Sequence, residues 1–252
     1  MAGHSGQAAG RFLTAVLALF TGVVPASPVP GQGSWESTLL ARDLDRDGFT
    51  DAFYDTVRDI TWLADWNFGA SELTDERRDA IIAAEISVGG HSLASADFEQ
   101  AGTGYSGRMT WWGASAWASQ LTFAGYADWR LPSALGADGS APCSNCSTSE
   151  LGGVWFEALE NSSSPNTGDF EGLQLYSYWS STEFSPAAPT AWRLSTSGNF
   201  LGVAGKGIVF YATAVSDGDL QAAQVPEPAS PFLVLLALGL VAQRRTKWRH
   251  KR

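Results

Sequence analysis

The 252-residue chain is poor in the side chains on which most enzyme mechanisms rest. It holds two cysteines, three histidines, and sixteen basic residues against twenty-six acidic ones. Setting the two ends aside leaves one histidine, His91. There is no G-x-S-x-G, no H-E-x-x-H and no glycine loop of the phosphate-cradling kind. A Ser-His-Asp triad would have to use His91, and a lone histidine in a loop is ordinarily solvated. Carboxylate pairs for glycoside hydrolysis can be drawn anywhere in so acidic a chain, so their presence distinguishes nothing. Basic residues are scarcest in the middle. Nine of the sixteen Lys and Arg, and twenty-five of the twenty-six Asp and Glu, lie between Ser27 and Val225, a net charge of −16. Such a segment repels nucleic acid and anionic lipid, and suits solubility or cation binding.

Cys143 and Cys146 are too few for zinc, with no histidine near them. In an oxidising compartment the two can pair, closing a very short loop. The alternative, a redox dithiol, lacks the surrounding βαβ pattern.

What the chain does have is two marked ends. Arg11 precedes an apolar stretch, Phe12–Val24, and Val24-Pro25-Ala26 offers small residues at the −3 and −1 positions. This is a signal-peptide layout, with cleavage expected after Ala26. The other end runs Pro226-Glu227-Pro228, then an apolar run from Pro231 to Ala242, then a close in which Arg244, Arg245, Lys247, Arg249, Lys251 and Arg252 are basic. The prolines favour an extended, accessible segment. As a helix the apolar run would measure roughly 20 Å against a hydrocarbon core of about 30 Å, a marginal span that leans on snorkelling arginines. The basic close would stay cytoplasmic, with Trp248 near the interface. The three-part order resembles the PEP-CTERM sorting signal of Gram-negative bacteria. That resemblance implies recognition and removal by an exosortase, a membrane cysteine transpeptidase. It makes residues 225–252 a handling tag with Pro226, Glu227 and Pro228 as its motif, and it implies a transient inner-membrane anchor followed by release to the cell surface or beyond.

The middle is about one domain's worth of chain, and its eleven tryptophans and twenty-seven glycines suit a compact, loop-rich unit. Asp43-Leu44-Asp45-Arg46-Asp47-Gly48-Phe49-Thr50-Asp51 alternates carboxylates up to a turn-forming glycine. It is the front half of an EF-hand-like calcium loop, with Asp51 at the ninth position. The twelfth position is Tyr54, not glutamate, and no flanking helices are evident. The loop therefore reads either as an isolated weak calcium site of Asp43, Asp45, Asp47 and Asp51, or as a solvated acidic turn.

Ala52–Asp55 and Asp59–Leu63 read as two strands joined by a short turn. Thr74 is placed to cap a helix running through Glu85, and Gly89–Gly107 reads as loop. Thr110–Phe123 reads as a helix with Ala114, Trp117, Ala118 and Leu121 on its buried face. Arg130, between Trp129 and Leu131, is expected half-buried against an acidic or carbonyl partner. Ser147–Glu160 reads as a second helix, with Ser147 and Glu150 as a capping box. Tyr178–Glu183, Ala191–Ser195, Phe200–Ala204 and Ile208–Val215 carry the later strands, expected as an antiparallel meander. Helices early and strands late give an α+β class.

Asp59–Asp65, Gly107–Trp111, Gly125–Pro132, Ser149-Glu150-Leu151, Tyr178–Glu183 and Ala191-Trp192-Arg193 follow one another in an order similar to the Lcl C-terminal domain family, named for the end domain of a collagen-like bacterial adhesin. The resemblance covers Phe53–Leu220. It implies a C-type-lectin-like, formylglycine-generating-enzyme-like fold, with the recurrent Trp and Arg positions holding it together. Members often end in Ala-Val-Arg-x-Gly; here Ser216 stands in the arginine position. The Glu-Pro-Asn and Trp-Asn-Asp motifs of calcium-dependent sugar binding are absent.

These readings divide the chain into a signal peptide (1–26), an acidic N-terminal segment (27–52), an Lcl-like domain (53–220) and a sorting tail (225–252). The function expected is that of an exported, exosortase-processed binding protein without catalytic residues. Its partners would be exopolysaccharide or another surface protein, and not nucleic acid. The alternatives are a secreted hydrolase working through carboxylates and a purely structural envelope protein. Sugar rings stack on Trp and Tyr, and the loop aromatics offered for this are Trp66, Tyr105 and Tyr176.

Overall fold

In the computed structural model, the described residues are 33–84, 88–162, 165–184 and 189–221. The signal-peptide and PEP-CTERM readings fall outside them. Among the described residues no helix is long and apolar enough to cross a membrane.

The fold is mixed α+β, dominated by two sheets. The first holds β1 (Leu39–Arg42), β2 (Ala52–Asp55), β3 (Ile60–Leu63) and β10 (Val215–Asp217), in that order and antiparallel throughout. The second has the order β4 (Phe98–Ala101), β5 (Gly104–Met109), β9 (Phe210–Tyr211), β6 (Ser177–Glu183), β7 (Thr190–Ser195) and β8 (Phe200–Gly205). The helices are short: α1 (Trp35–Thr38), α2 (Phe68–Glu72), α3 (Asp75–Ala83), α4 (Trp111–Ser119) and α5 (Glu150–Gly152), the last running on into a π-helical stretch, Gly153–Ala158.

Alternation along β6 divides the core. Successive side chains on a strand point to opposite faces. Trp179 joins a cluster with Met109, Trp111, Trp117, Trp129 and Phe210. Its neighbour Tyr178 joins one with Trp62, Trp66, Trp155, Leu194 and Val215. In the second cluster Trp62 and Trp66 stack at 5.5 Å, and Tyr178 meets Trp66 edge-on at 5.1 Å. The buried indole N–H groups of Trp62 and Trp66 find no acceptor among the described residues, whereas others do. Trp111 donates to the Ser180 carbonyl at 2.8 Å, Trp179 to the Met109 carbonyl at 3.0 Å, and Trp117 to Glu72 at 2.9 Å. These bonds tie α4 to β6, β6 to the end of β5, and α4 to α2.

Local signals account for the helix starts. The Thr74 hydroxyl accepts from the Arg77 amide, so α3 begins where the sequence places its cap. The helix expected over Thr110–Phe123 spans only Trp111–Ser119, with the Thr110 hydroxyl capping it by accepting from the Gly113 amide. Ala114, Trp117, Ala118 and Leu121 are buried as expected. At Gly107, φ is +82°, and a Cβ there would sit 1.9 Å from Asn67 Oδ1, so β5 passes the loop before α2 only with glycine.

Several expectations are corrected. Gly89–Gly107 is not all loop: it holds β4 and most of β5, a hairpin whose outer strand buries only Phe98 and so carries little hydrophobic signal. Ile208–Val215 is not one strand. It breaks at Ala212–Ala214, so β9 enters the second sheet between β5 and β6, parallel to β6, while β10 crosses to the first sheet. The late strands are therefore an antiparallel meander only from β6 to β8. The Ser147–Glu150 capping box does not form. Ser149 caps α5 by accepting from Gly152 at 3.0 Å, and Glu150 turns to Arg130. The segment set apart as N-terminal contributes β1, which pairs along its length with β2, so the folded unit begins before Phe53.

Cutting Trp117 or Trp179 to alanine removes a fully buried indole and orphans an acceptor. Each variant is expected to lose about 3–5 kcal/mol in urea unfolding. The part-exposed comparison, Tyr176→Ala, gives up edge contacts to Phe210 and Tyr211 and should lose less, about 1–2 kcal/mol.

Candidate functional site

Of the three aromatics expected at the surface, one is there. Trp66 is 0% exposed, locked in the stack with Trp62. Tyr105 is 8% exposed, and its hydroxyl donates to Asp75 and accepts from Arg78, both at 2.7 Å. Neither can present a ring to a ligand. Period-two spacing could have found both. Trp62, Ala64 and Trp66 continue one inward row, and Tyr105, Gly107 and Met109 another. Tyr176 is 42% exposed. It directly precedes β6, and its amide donates to Thr196 Oγ1 at 2.8 Å.

Around Tyr176 the structure gathers residues that sequence reasoning missed as a group. The ring meets Phe210 edge-on at 5.6 Å, and the Arg108 guanidinium lies 5.6 Å from its centre. Arg193, on β7, lies over both Phe200 and Phe210, at 5.2 and 5.3 Å, and donates to Ser177 Oγ at 3.0 Å. Burial pulls the Arg193 pKa below its ordinary value. Leu175, next to Tyr176 in the chain, lines a polar groove of about 280 Å³ together with Asn161, Ser162, Ser197 and Asn199 among others. Asn199 spans it, accepting from the Trp155 indole at 2.7 Å and donating to the Ser162 carbonyl at 2.7 Å.

His91 is not a solvated loop residue. Its ring stacks on Trp112 at 4.0 Å, and Nε2 lies 3.1 Å from buried Asp97. Asp97 also accepts from Thr110 Oγ1 at 2.6 Å and from the Ala94 amide at 2.9 Å. The arrangement pins the Val88–His91 turn onto α4. Cys143 and Cys146 are disulfide-bonded, and the loop they close places the Ser144 carbonyl 2.6 Å from the Leu201 amide, on the open edge of β8.

The acidic loop joins β1 to β2, without helices on either side. Asp43, Asp45 and Asp51 each bring a carboxylate oxygen within 4.8 Å of the others. Asp47 is not in that group. It accepts from the Phe49 amide, while Tyr54, at the twelfth position, donates to Asp59. The loop's own amides hold the cluster: Arg46 and Gly48 donate to Asp43, and Leu44 and Asp45 to Asp51. Partial burial raises the Asp51 pKa, and the charges of Asp45 and Asp47 add to this. Three clustered carboxylates are the oxygen donors calcium takes, but no bidentate glutamate closes the ring. The residues therefore fit a weak site and not an EF-hand.

Residues 224–252 match the family described as the PEP-CTERM protein-sorting motif. No curated protein and no solved structure matches the chain.

Two measurements bear on the acidic loop. Calcium should bind in the ~10⁻⁴–10⁻³ M range of extracellular modules, and Asp45→Ala combined with Asp51→Asn should abolish the calorimetric signal. Absence of heat with the parent would leave a turn held by its own amides. The pH dependence follows from Asp51, whose folded pKa lies above 3.8. Its contribution to stability is fully present below that value and is lost as pH rises through the raised pKa. Asp51→Asn should flatten the fall in melting temperature across that window, and so should saturating calcium, which favours the charged carboxylate.

Proposed function

We propose that this chain is an exosortase substrate whose folded unit is a non-catalytic binding domain for extracellular polysaccharide. The observation that carries the reading is the matched tail, because a PEP-CTERM motif implies export, a transient membrane anchor and processing by an exosortase. The cargo then works outside the cytoplasm, where matrix polysaccharide and surface proteins are the available partners. The resemblance of Phe53–Leu220 to an adhesin end domain supports a C-type-lectin-like reading of the α+β fold and a binding role for it.

The surface supports a saccharide as ligand. A sugar needs an apolar face to stack on and polar groups for its hydroxyls. Tyr176 and Leu175 supply exposed apolar area, and the adjoining groove supplies the hydroxyls of Ser162 and Ser197.

The test is retention of the released protein on the producing cell's own matrix polysaccharide. Tyr176→Ala should stay folded, with only a small drop in melting temperature, and weaken retention by about threefold to tenfold, the range of one aromatic contact. Undiminished retention removes Tyr176 from the site. Turnover of a glycoside or ester by the purified protein would overturn the non-catalytic reading.

A further inference from the structure

Arg193 stands apart among the basic side chains. In a domain this rich in acid, the others, Arg46 aside, each pair with a carboxylate: Arg42 with Asp219, Arg58 with Asp55, Arg77 with Glu72, Arg130 with Glu150 and Lys206 with Glu183, for example. Arg78 and Arg108 do the same. Arg193 has no carboxylate partner among the described residues. Its one protein hydrogen bond runs from Nη1 to Ser177 Oγ, and its Nε is buried without an acceptor. The rings of Phe200 and Phe210 offset part of the charge. They accept no N–H bond in the guanidinium plane, where a carboxylate fits two donors at once. A half-buried guanidinium in that condition lacks a counter-charge that burial ordinarily requires.

Its position says what would supply one. Phe210 contacts both Arg193 and the exposed ring of Tyr176, and Arg108 lies over that same ring. A cation short of a partner therefore sits one ring away from an exposed aromatic surface. We propose that Arg193, with Ser177 and Tyr176, forms a carboxylate subsite that takes a uronate, a sugar ring bearing one carboxylate. The ring would lie against Tyr176 and the carboxylate would meet the guanidinium. The net charge of −16 between Ser27 and Val225 opposes a densely charged polyanion. It selects for an isolated uronate in an otherwise neutral chain, bound at short range where screening is weak. This deepens the polysaccharide reading and rests on it.

The experiment titrates the released, full-length mature protein with D-galacturonic acid, its methyl ester and D-galactose, following ligand signals by saturation-transfer NMR. Galacturonate should bind about tenfold or more tighter than either neutral sugar, as a charge-assisted hydrogen-bonded pair implies. Arg193→Gln should bring galacturonate down to the level of the ester, with Arg193→Lys intermediate and Tyr176→Ala weakening all three sugars. Should the Arg193 variants fail to fold, the three-sugar comparison on the parent still decides. Equal binding of acid and ester, or no binding of galacturonate, overturns the subsite. A C-terminal peptide carboxylate binding as tightly as galacturonate overturns the sugar class. Retention on matrix polysaccharide together with indifference to galacturonate would sink this inference alone. Galacturonate binding without matrix retention would instead sink the matrix reading and leave the subsite standing.

Discussion

Arg130 joins parts of the chain that are far apart in sequence. Its guanidinium meets both oxygens of Glu150 at 2.8 Å and reaches Asp217 at 2.5 Å. Its backbone exchanges two hydrogen bonds of 2.9 Å with Val215 on β10. Glu150 also accepts from the Ser133 amide at 2.6 Å, which fixes the start of α5. Two residues on, Pro132 accepts from Ser181, and Ala134 donates to Thr182, both on β6. One short segment, 130–134, therefore stitches the first sheet to the second and anchors a helix. The ion pair is half-buried and bidentate, the geometry in which arginine outperforms lysine. Glu150 holds the Arg130 pKa above its ordinary value, so the guanidinium of the clamp keeps its charge.

From that clamp the candidate surface follows by register. The bonds to Ser181 and Thr182 fix the outer end of β6, and its inner end begins at Ser177, next to Tyr176. Trp179 on β6 pairs directly with Arg193 on β7, so the arginine shares a face with the Trp179–Phe210 contact and is carried to Phe210 and Ser177. The Tyr176–Arg193 arrangement thus stands on two paired strands and not on a free loop, which suits a site needing fixed geometry.

What could be read from the sequence was mostly local. The cap at Thr74 starts its helix, the apolar stripe expected over Ala114, Trp117, Ala118 and Leu121 is buried, β2 and β3 pair across a short turn, and Arg130 has its acidic partner. The misses concern non-local pairing. Nothing near Ala212–Ala214 announces that the chain leaves one sheet for another, because that choice is made by strands more than a hundred residues earlier. Glu150 reads as a capping residue locally, and a distant arginine takes it instead. Trp66 and Tyr105 look like loop aromatics only until the inward rows to which they belong are followed. The candidate site was legible at Tyr176 alone, because Arg108, Arg193 and Phe210 join it through sheet order.

The tail and the fold are separable in their chemistry. The clamp, the two cores and the Tyr176 surface all lie within 33–221, whereas the sorting motif matches 224–252. Loss of the residues after the motif would therefore leave the folded domain intact. The most direct measurement is the intact mass of the released protein, taken for the parent and for a variant with Pro226, Glu227 and Pro228 replaced by alanine. The account predicts a parent that has lost the apolar run 231–242 and the basic close, and a variant that keeps both and stays in the inner membrane. A released parent retaining its full C-terminus, or a variant cut as the parent is, would contradict it.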